Sequence, residues 1–217
     1  ICYYVCTVRE GVTVLKRVNN TIGRMMIAGD TKTWDYGFME SLVTQLEKGC
    51  TLSDRQMTYL QQIEGRFSDE ALAAIADWAG SWDDEKESKF QIALMYYKQT
   101  GYYSGLVTKY LGPDSKRNSS NPSEKEYNKL VNNKYASAVI RNLSAPPKFP
   151  VGSVATIRDT YAVNRSLRSF RGTTCVILKY GGAEKVTSHA KGASPVLVLP
   201  VGKAEPVWAE ERDLKKA

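Results

Sequence analysis

The sequence predicts an α+β chain in two parts, an N-terminal multi-helix domain over residues 1–143 and a small β-barrel over residues 148–217. Three observations carry this. Apolar residues recur at helical spacing from Val12 to Val139, Pro146-Pro147 then breaks the chain, and beyond the prolines the spacing changes to a period of two with glycine turns.

The helical part starts after residues 1–9, whose loose alternation (Tyr3, Val5, Thr7, Arg9) reads as a short strand or a disordered lead. Val14, Leu15, Val18, Ile22, Met25 and Met26 then share one helical face, and Gly29 supplies a stop. Residues 35–48 repeat the pattern with Phe38, Met39, Leu42, Val43 and Leu46, closed by Gly49. Ser53-Asp54-Arg55-Gln56 is a capping box, in which hydroxyl and amide satisfy orphan N–H groups at a helix start, and Met57, Leu60 and Ile63 follow. Ser68 caps a short alanine-rich helix through Trp78. Ser81 or Asp83 opens another, with Phe90, Ala93, Leu94 and Tyr97 inward and Gly101 as its end; Tyr102 to Leu111 adds a turn or two. Gly112 to Pro122 has no apolar residue and reads as a mobile loop. Ser123 to Glu126 is a second capping box, leading into one helix that ends near Asn142.

Beyond the prolines, strands are expected at 153–158, 172–180, 186–189, 195–201 and 207–212, with Asp213-Leu214 closing the last. Residues 172–180 form the strongest of them, being rich in β-branched side chains.

Two resemblances accompany these patterns. Phe38-Met39-Glu40-Ser41-Leu42-Val43-Thr44-Gln45-Leu46-Glu47, then Gly49 and Leu52-Ser53-Asp54-Arg55-Gln56, resembles a helical module of phage replication and hypothetical proteins over about a fifth of the chain. That likeness implies a phage source and an accessory role in the host cytoplasm. Phe149-Pro150-Val151-Gly152-Ser153-Val154 and Val207-Trp208-Ala209-Glu210-Glu211-Arg212-Asp213-Leu214 resemble the entry and exit of SH3-like, Tudor and KOW barrels. This second likeness implies a fold and no activity.

At 217 residues, 42% hydrophobic and 24% charged, the chain can bury a core of its own. It has no apolar run long enough to cross a membrane as a helix, no signal peptide at its start and no initiating Met, which predicts a fragment or a processed product. Cys2, Cys6, Cys50 and Cys175 are scattered, and His189 is the single histidine, so neither a metal nor another cofactor is expected. Free thiols in a chain with a normal core predict a reducing, intracellular setting. The net charge of +7 is uneven: from Pro146 onward there are 12 Lys and Arg against 6 Asp and Glu, which leaves a balance of only +1 elsewhere. Such asymmetry points to a polyanionic partner.

The densest positive point is the 161–171 loop. Arg165, Arg168 and Arg171 sit three apart with Tyr161 and Phe170 beside them, Lys148, Arg158 and Lys179 near in sequence, and only Asp159 in opposition. Guanidinium groups pair with phosphates and aromatic rings stack on bases, so these eight residues are the candidate nucleic-acid site. The plain alternative is a solvated loop whose arginines aid solubility or pair with Glu210 and Glu211. Tyr96, Tyr97, Tyr102, Tyr103 and Tyr110 form either a docking surface or ordinary core. Asp83, Asp84, Glu85 and Glu87 are explained by their place at a helix start. A Cys175–His189 dyad would need Cys175 out of mid-strand, and no Walker loop or G-x-G-x-x-G is present, so no enzyme is expected. The function these features predict is a nucleic-acid-binding accessory protein, acting on DNA or RNA or on a processing complex. The alternative is an assembly module docking through the barrel and the tyrosine-rich helices.

Overall fold

A computed structural model describes residues 2–118 and 120–217 of the chain, with side chains from Val12 onward. Among the described residues there are eight α-helices and one five-stranded antiparallel sheet, divided into two compact units, 1–81 and 82–217. The change from helix to strand at Pro146-Pro147 therefore falls inside the second unit.

The first unit holds α1 (Cys2–Ile27), α2 (Trp34–Glu47), α3 (Asp54–Arg66) and α4 (Asp69–Gly80). Residues 2–9 continue α1, so neither a strand nor a disordered lead stands there. The helix stops are those that the glycines predict: Gly29 and Gly49 take φ of 72° and 79°, where a side chain would be strained. Ser53 and Gln56 close the capping box at α3 as expected. Val18, Met25, Met39, Leu42, Leu60, Ile63 and Phe67 are buried together as the core. Around it, Arg17 grips Glu64 with two nitrogens (3.0 and 2.7 Å), Arg24 pairs with Asp69 and Arg66 with Asp35. Burial works against the Asp35 carboxylate, but hydrogen bonds from the Tyr59 hydroxyl and Arg66 hold its pKa below the ordinary value.

The second unit begins with α5 (Asp84–Thr100), α6 (Ser104–Tyr110), α7 (Glu124–Leu130) and α8 (Lys134–Ser144). Asp83, not Ser81, caps α5, its carboxylate accepting from Lys86 N at 2.7 Å. The core here is aromatic: Phe90 meets Trp82, Tyr110 and Tyr127 with ring centroids 5.2–6.1 Å apart. One expectation fails in this region. Residues 124–142 are not one helix, because Asn133 ends the first piece and caps the second. Its Oδ1 accepts from Tyr135 N and Ala136 N, its amide donates back to Lys129 O and Leu130 O, and Tyr97 donates to the same Oδ1. In the polar segment, residues 112–118 make specific contacts. Leu111 and Arg117 form a β-bridge, and Asn118 N donates to Tyr110 O. The Arg117 guanidinium lies over the rings of Phe90 and Tyr110, with Glu87 at 3.2 Å.

The sheet comprises β1 (Val154–Ile157), β2 (Thr174–Tyr180), β3 (Pro195–Pro200), β4 (Val207–Glu210) and β5 (Leu214–Lys216), in the order β4-β3-β2-β1-β5. It is not closed: β4 and β5 are its edges. No strand forms at 186–189, where a short 3₁₀ turn (Ala183–Lys185) precedes irregular chain. The fifth strand is instead β5, set off from β4 by a 3₁₀ turn at Glu211–Asp213. Alternate residues Ala155, Ile157, Cys175, Ile177, Val196, Val198, Ala209 and Leu214 face one core, joined by Phe149, Val163 and Leu167. Helices and sheet are stitched within this unit. Asn142 Nδ2 donates to Ala190 O at 2.7 Å, Ser194 Oγ to Asn142 O at 3.0 Å, and Gln99 Nε2 to Glu184 O at 2.7 Å.

Candidate functional site

The long connection from β1 to β2 is an anchored loop. Val163 and Leu167 are buried in the sheet core, and residues Arg165–Phe170 wind into a 3₁₀ helix whose entry Asn164 caps. Pinning the apolar positions turns Arg165 and Arg168 outward, and both are exposed. Arg171 folds back: its Nε donates to Arg168 O, and its guanidinium carbon lies 4.1 Å from the centroid of the Tyr161 ring. Tyr161 is 76% exposed, so a large part of its surface stays open to solvent. Phe170 differs from expectation in being half-buried against the sheet core, with Lys203 Nζ 5.7 Å from its ring. Glu210 and Glu211 do not pair with these arginines. Glu210 takes Arg212 at 2.5 Å, and Glu211 accepts from Lys148 N at 2.6 Å and the Tyr180 hydroxyl at 2.9 Å.

Lys148 and Arg158 lie apart from the loop arginines, in a cleft of about 700 Å³ that they line with Arg141, Lys191, Arg212 and Glu211. The end of α8, the chain leaving it, the turn before β3 and the turn before β5 form its walls. Arg158 is fixed at its root, since Nε donates to Arg212 O at 2.9 Å and Leu214 O at 3.1 Å. Arg141, Lys191 and Arg212 are residues that sequence reasoning did not select. They come from three separated segments, and nothing local marks them except charge. Gly192, also on the lining, has φ of 72°, and a Cβ there would stand 3.2 Å from Arg212 Cβ.

Lys179 falls in a third place, with Lys185, near the ring of Trp208 at 6.0 and 5.5 Å. The eight expected residues thus divide between the loop (Tyr161, Arg165, Arg168, Phe170, Arg171), the cleft (Lys148, Arg158) and this corner (Lys179).

Tyr96, Tyr97 and Tyr110 are buried, leaving Tyr102 and Tyr103 exposed. Cys175 is buried in mid-strand, where burial pushes its thiol up to about 11. His189 meets Tyr96 and Tyr135 instead of Cys175. No helix among the described residues is long and apolar enough to cross a membrane. Comparison with protein families, with curated proteins and with solved structures finds no match to this chain.

Proposed function

We propose that the chain is a non-enzymatic, nucleic-acid-binding accessory protein whose second unit grips the phosphate backbone. The observation that carries this is the loop: an exposed Tyr161 stacked on Arg171, beside Arg165 and Arg168, which turn outward without a carboxylate partner among the described residues. Guanidinium groups so presented take phosphates, and an open aromatic surface takes an unstacked base, which favours single strands. Two features support an SH3-like reading of the sheet. The last strand returns to the first after a 3₁₀ turn, and the long β1–β2 connection carries the candidate residues. Such small β-folds present loops as binding surfaces, and the likeness of 38–56 to phage replication modules agrees with an accessory role. The rival reading, docking through the barrel and the tyrosine-rich helices, keeps Tyr102 and Tyr103 of that group on the surface, while Tyr96, Tyr97 and Tyr110 are buried.

Filter binding of the whole chain to single-stranded DNA and RNA tests the reading. Three to five phosphate contacts give affinity that falls with a log–log salt slope of about −2 to −4. No retention of either strand at low salt sinks the proposal.

A further inference from the structure

We infer that the cleft lined by Arg141, Lys148, Arg158, Lys191 and Arg212 is a receptor for a phosphomonoester dianion, either the terminal phosphate of a strand or a free nucleotide. The strand form of this inference rests on the nucleic-acid reading above; the cleft itself does not.

The charge inventory supports it. Five cationic side chains and one carboxylate line a single concavity. The carboxylate, Glu211, is turned to structural use by Lys148 N and the Tyr180 hydroxyl. Of the five cations, Arg212 is held by Glu210, while Arg141, Lys148, Arg158 and Lys191 have no carboxylate within ion-pair distance among the described residues. An excess of that size around one volume suits a group with two negative charges better than a diester with one, since each added charge interacts with every cation present.

The geometry supports it as well. Arg158 is bound to two carbonyls through Nε, which leaves its two terminal nitrogens as donors on a preset fork. The walls are tied to each other by Asn142 with Ala190 and by Ser194 with Asn142, so the cleft is preformed. Its volume of about 700 Å³ is several times that of a phosphate and falls in the range of roughly 300–1,000 Å³ typical of small-ligand pockets, enough for a whole nucleotide. The loop arginines do not line it, so the terminal phosphate and the backbone would be held at different places on the same unit.

The test uses the full chain and internally labelled single-stranded 12-mers ending in a 5′-phosphate, a 3′-phosphate or hydroxyls only, read by fluorescence polarisation. Adenosine monophosphate serves as a competitor and, separately, as a calorimetric ligand. One phosphorylated end is expected to bind about 10-fold more tightly than the hydroxyl-ended strand. Adenosine monophosphate should erase that advantage. The double variant Arg141→Ala/Lys191→Ala alters two exposed side chains and should lose it while keeping hydroxyl-ended binding. Lys191→Glu is a second variant with the same expectation, and thermal melting confirms that both are folded. Equal affinity for all ends, or an advantage that survives both variants, overturns the cleft site and leaves the nucleic-acid reading standing. If no strand binds but adenosine monophosphate binds wild type and not the variants, the cleft stands and the nucleic-acid reading falls. Binding of neither overturns both.

Discussion

In residues 1–81, Arg17, Arg24 and Arg66 each end on a carboxylate of another helix, at 2.7, 2.7 and 2.8 Å. In residues 82–217, two cations of the helical part are paired in the same way, Lys109 with Glu126 and Arg117 with Glu87. Around the sheet Arg212 meets Glu210, but Arg158, Arg165, Arg168 and Arg171 have no carboxylate partner among the described residues. Paired charges of the first kind hold helices in register, and little of their field reaches solvent. Charges of the second kind have no carboxylate to offset them, although Arg158 and Arg171 still bond backbone carbonyls through Nε, and their field reaches solvent. Net charge alone does not reveal this difference, because it counts both kinds equally.

The sharpest way to break the contrast is to delete each set. Arg165→Ala/Arg168→Ala/Arg171→Ala is expected to weaken strand binding about 100-fold at moderate salt and to flatten the salt slope by about 2 to 3. The melting temperature should hold. Arg17→Ala/Arg24→Ala/Arg66→Ala should leave binding within about twofold and lower stability. Binding that drops equally in both triples would erase the distinction.

A test of the sheet as a rigid platform comes next. A Cβ at Gly181 would stand 2.8 Å from the Trp208 ring, so Gly181→Ala is expected to cost about 1–3 kcal/mol in chemical denaturation. An unchanged midpoint would mean that this ring yields easily.

The paired carboxylate of the helices gives a pH signature. Burial raises the pKa of Glu126, yet hydrogen bonds from Lys109, the Tyr110 hydroxyl and Ser123 win and bring it from 4.5 to about 2. A depressed carboxylate stabilises the fold above its unfolded pKa. That contribution, on the order of 2 kcal/mol after allowance for solvent, should vanish as pH falls from about 4.5 to 2. Glu126→Gln should flatten this part of the acid-stability curve; a curve that stays as steep would assign the effect to other groups.

The smallest effect belongs to one exposed pair: Arg66→Ala alone should cost about 0.5–1 kcal/mol in a denaturant titration. A loss above about 2 kcal/mol would show that the Asp35–Tyr59–Arg66 cluster acts as one unit.

How much of this was legible in the sequence follows from the range of each interaction. The capping boxes at Ser53 and Ser123 involve residues three apart, and both stand as read. The break between α7 and α8 was hidden, because Asn133 needs Tyr97, a residue 36 positions away, to complete its bonds, while the apolar period runs on past it. The 186–189 segment has strand-like residues but no neighbour to pair with, whereas Leu214–Lys216, too short to stand out, pairs along β1. The loop arginines were visible because they are neighbours in sequence. Three of the five cleft cations were not, because Arg141, Lys191 and Arg212 meet only after α8 and the sheet are joined.

The Tyr180 hydroxyl looks like a minor detail of the sheet, but it holds the one carboxylate on the lining of the cleft beside it. Burial, and then the neighbouring Glu211, push its pKa up to about 12, so it stays a hydrogen-bond donor across the physiological range. Removing that one proton donor, as in Tyr180→Phe, would leave Glu211 with a single backbone partner. The released carboxylate would turn from a strut into a resident competitor for the same cations that a phosphate would use. The proposed receptor would thereby be weakened from behind, without touching any cation that meets the anion.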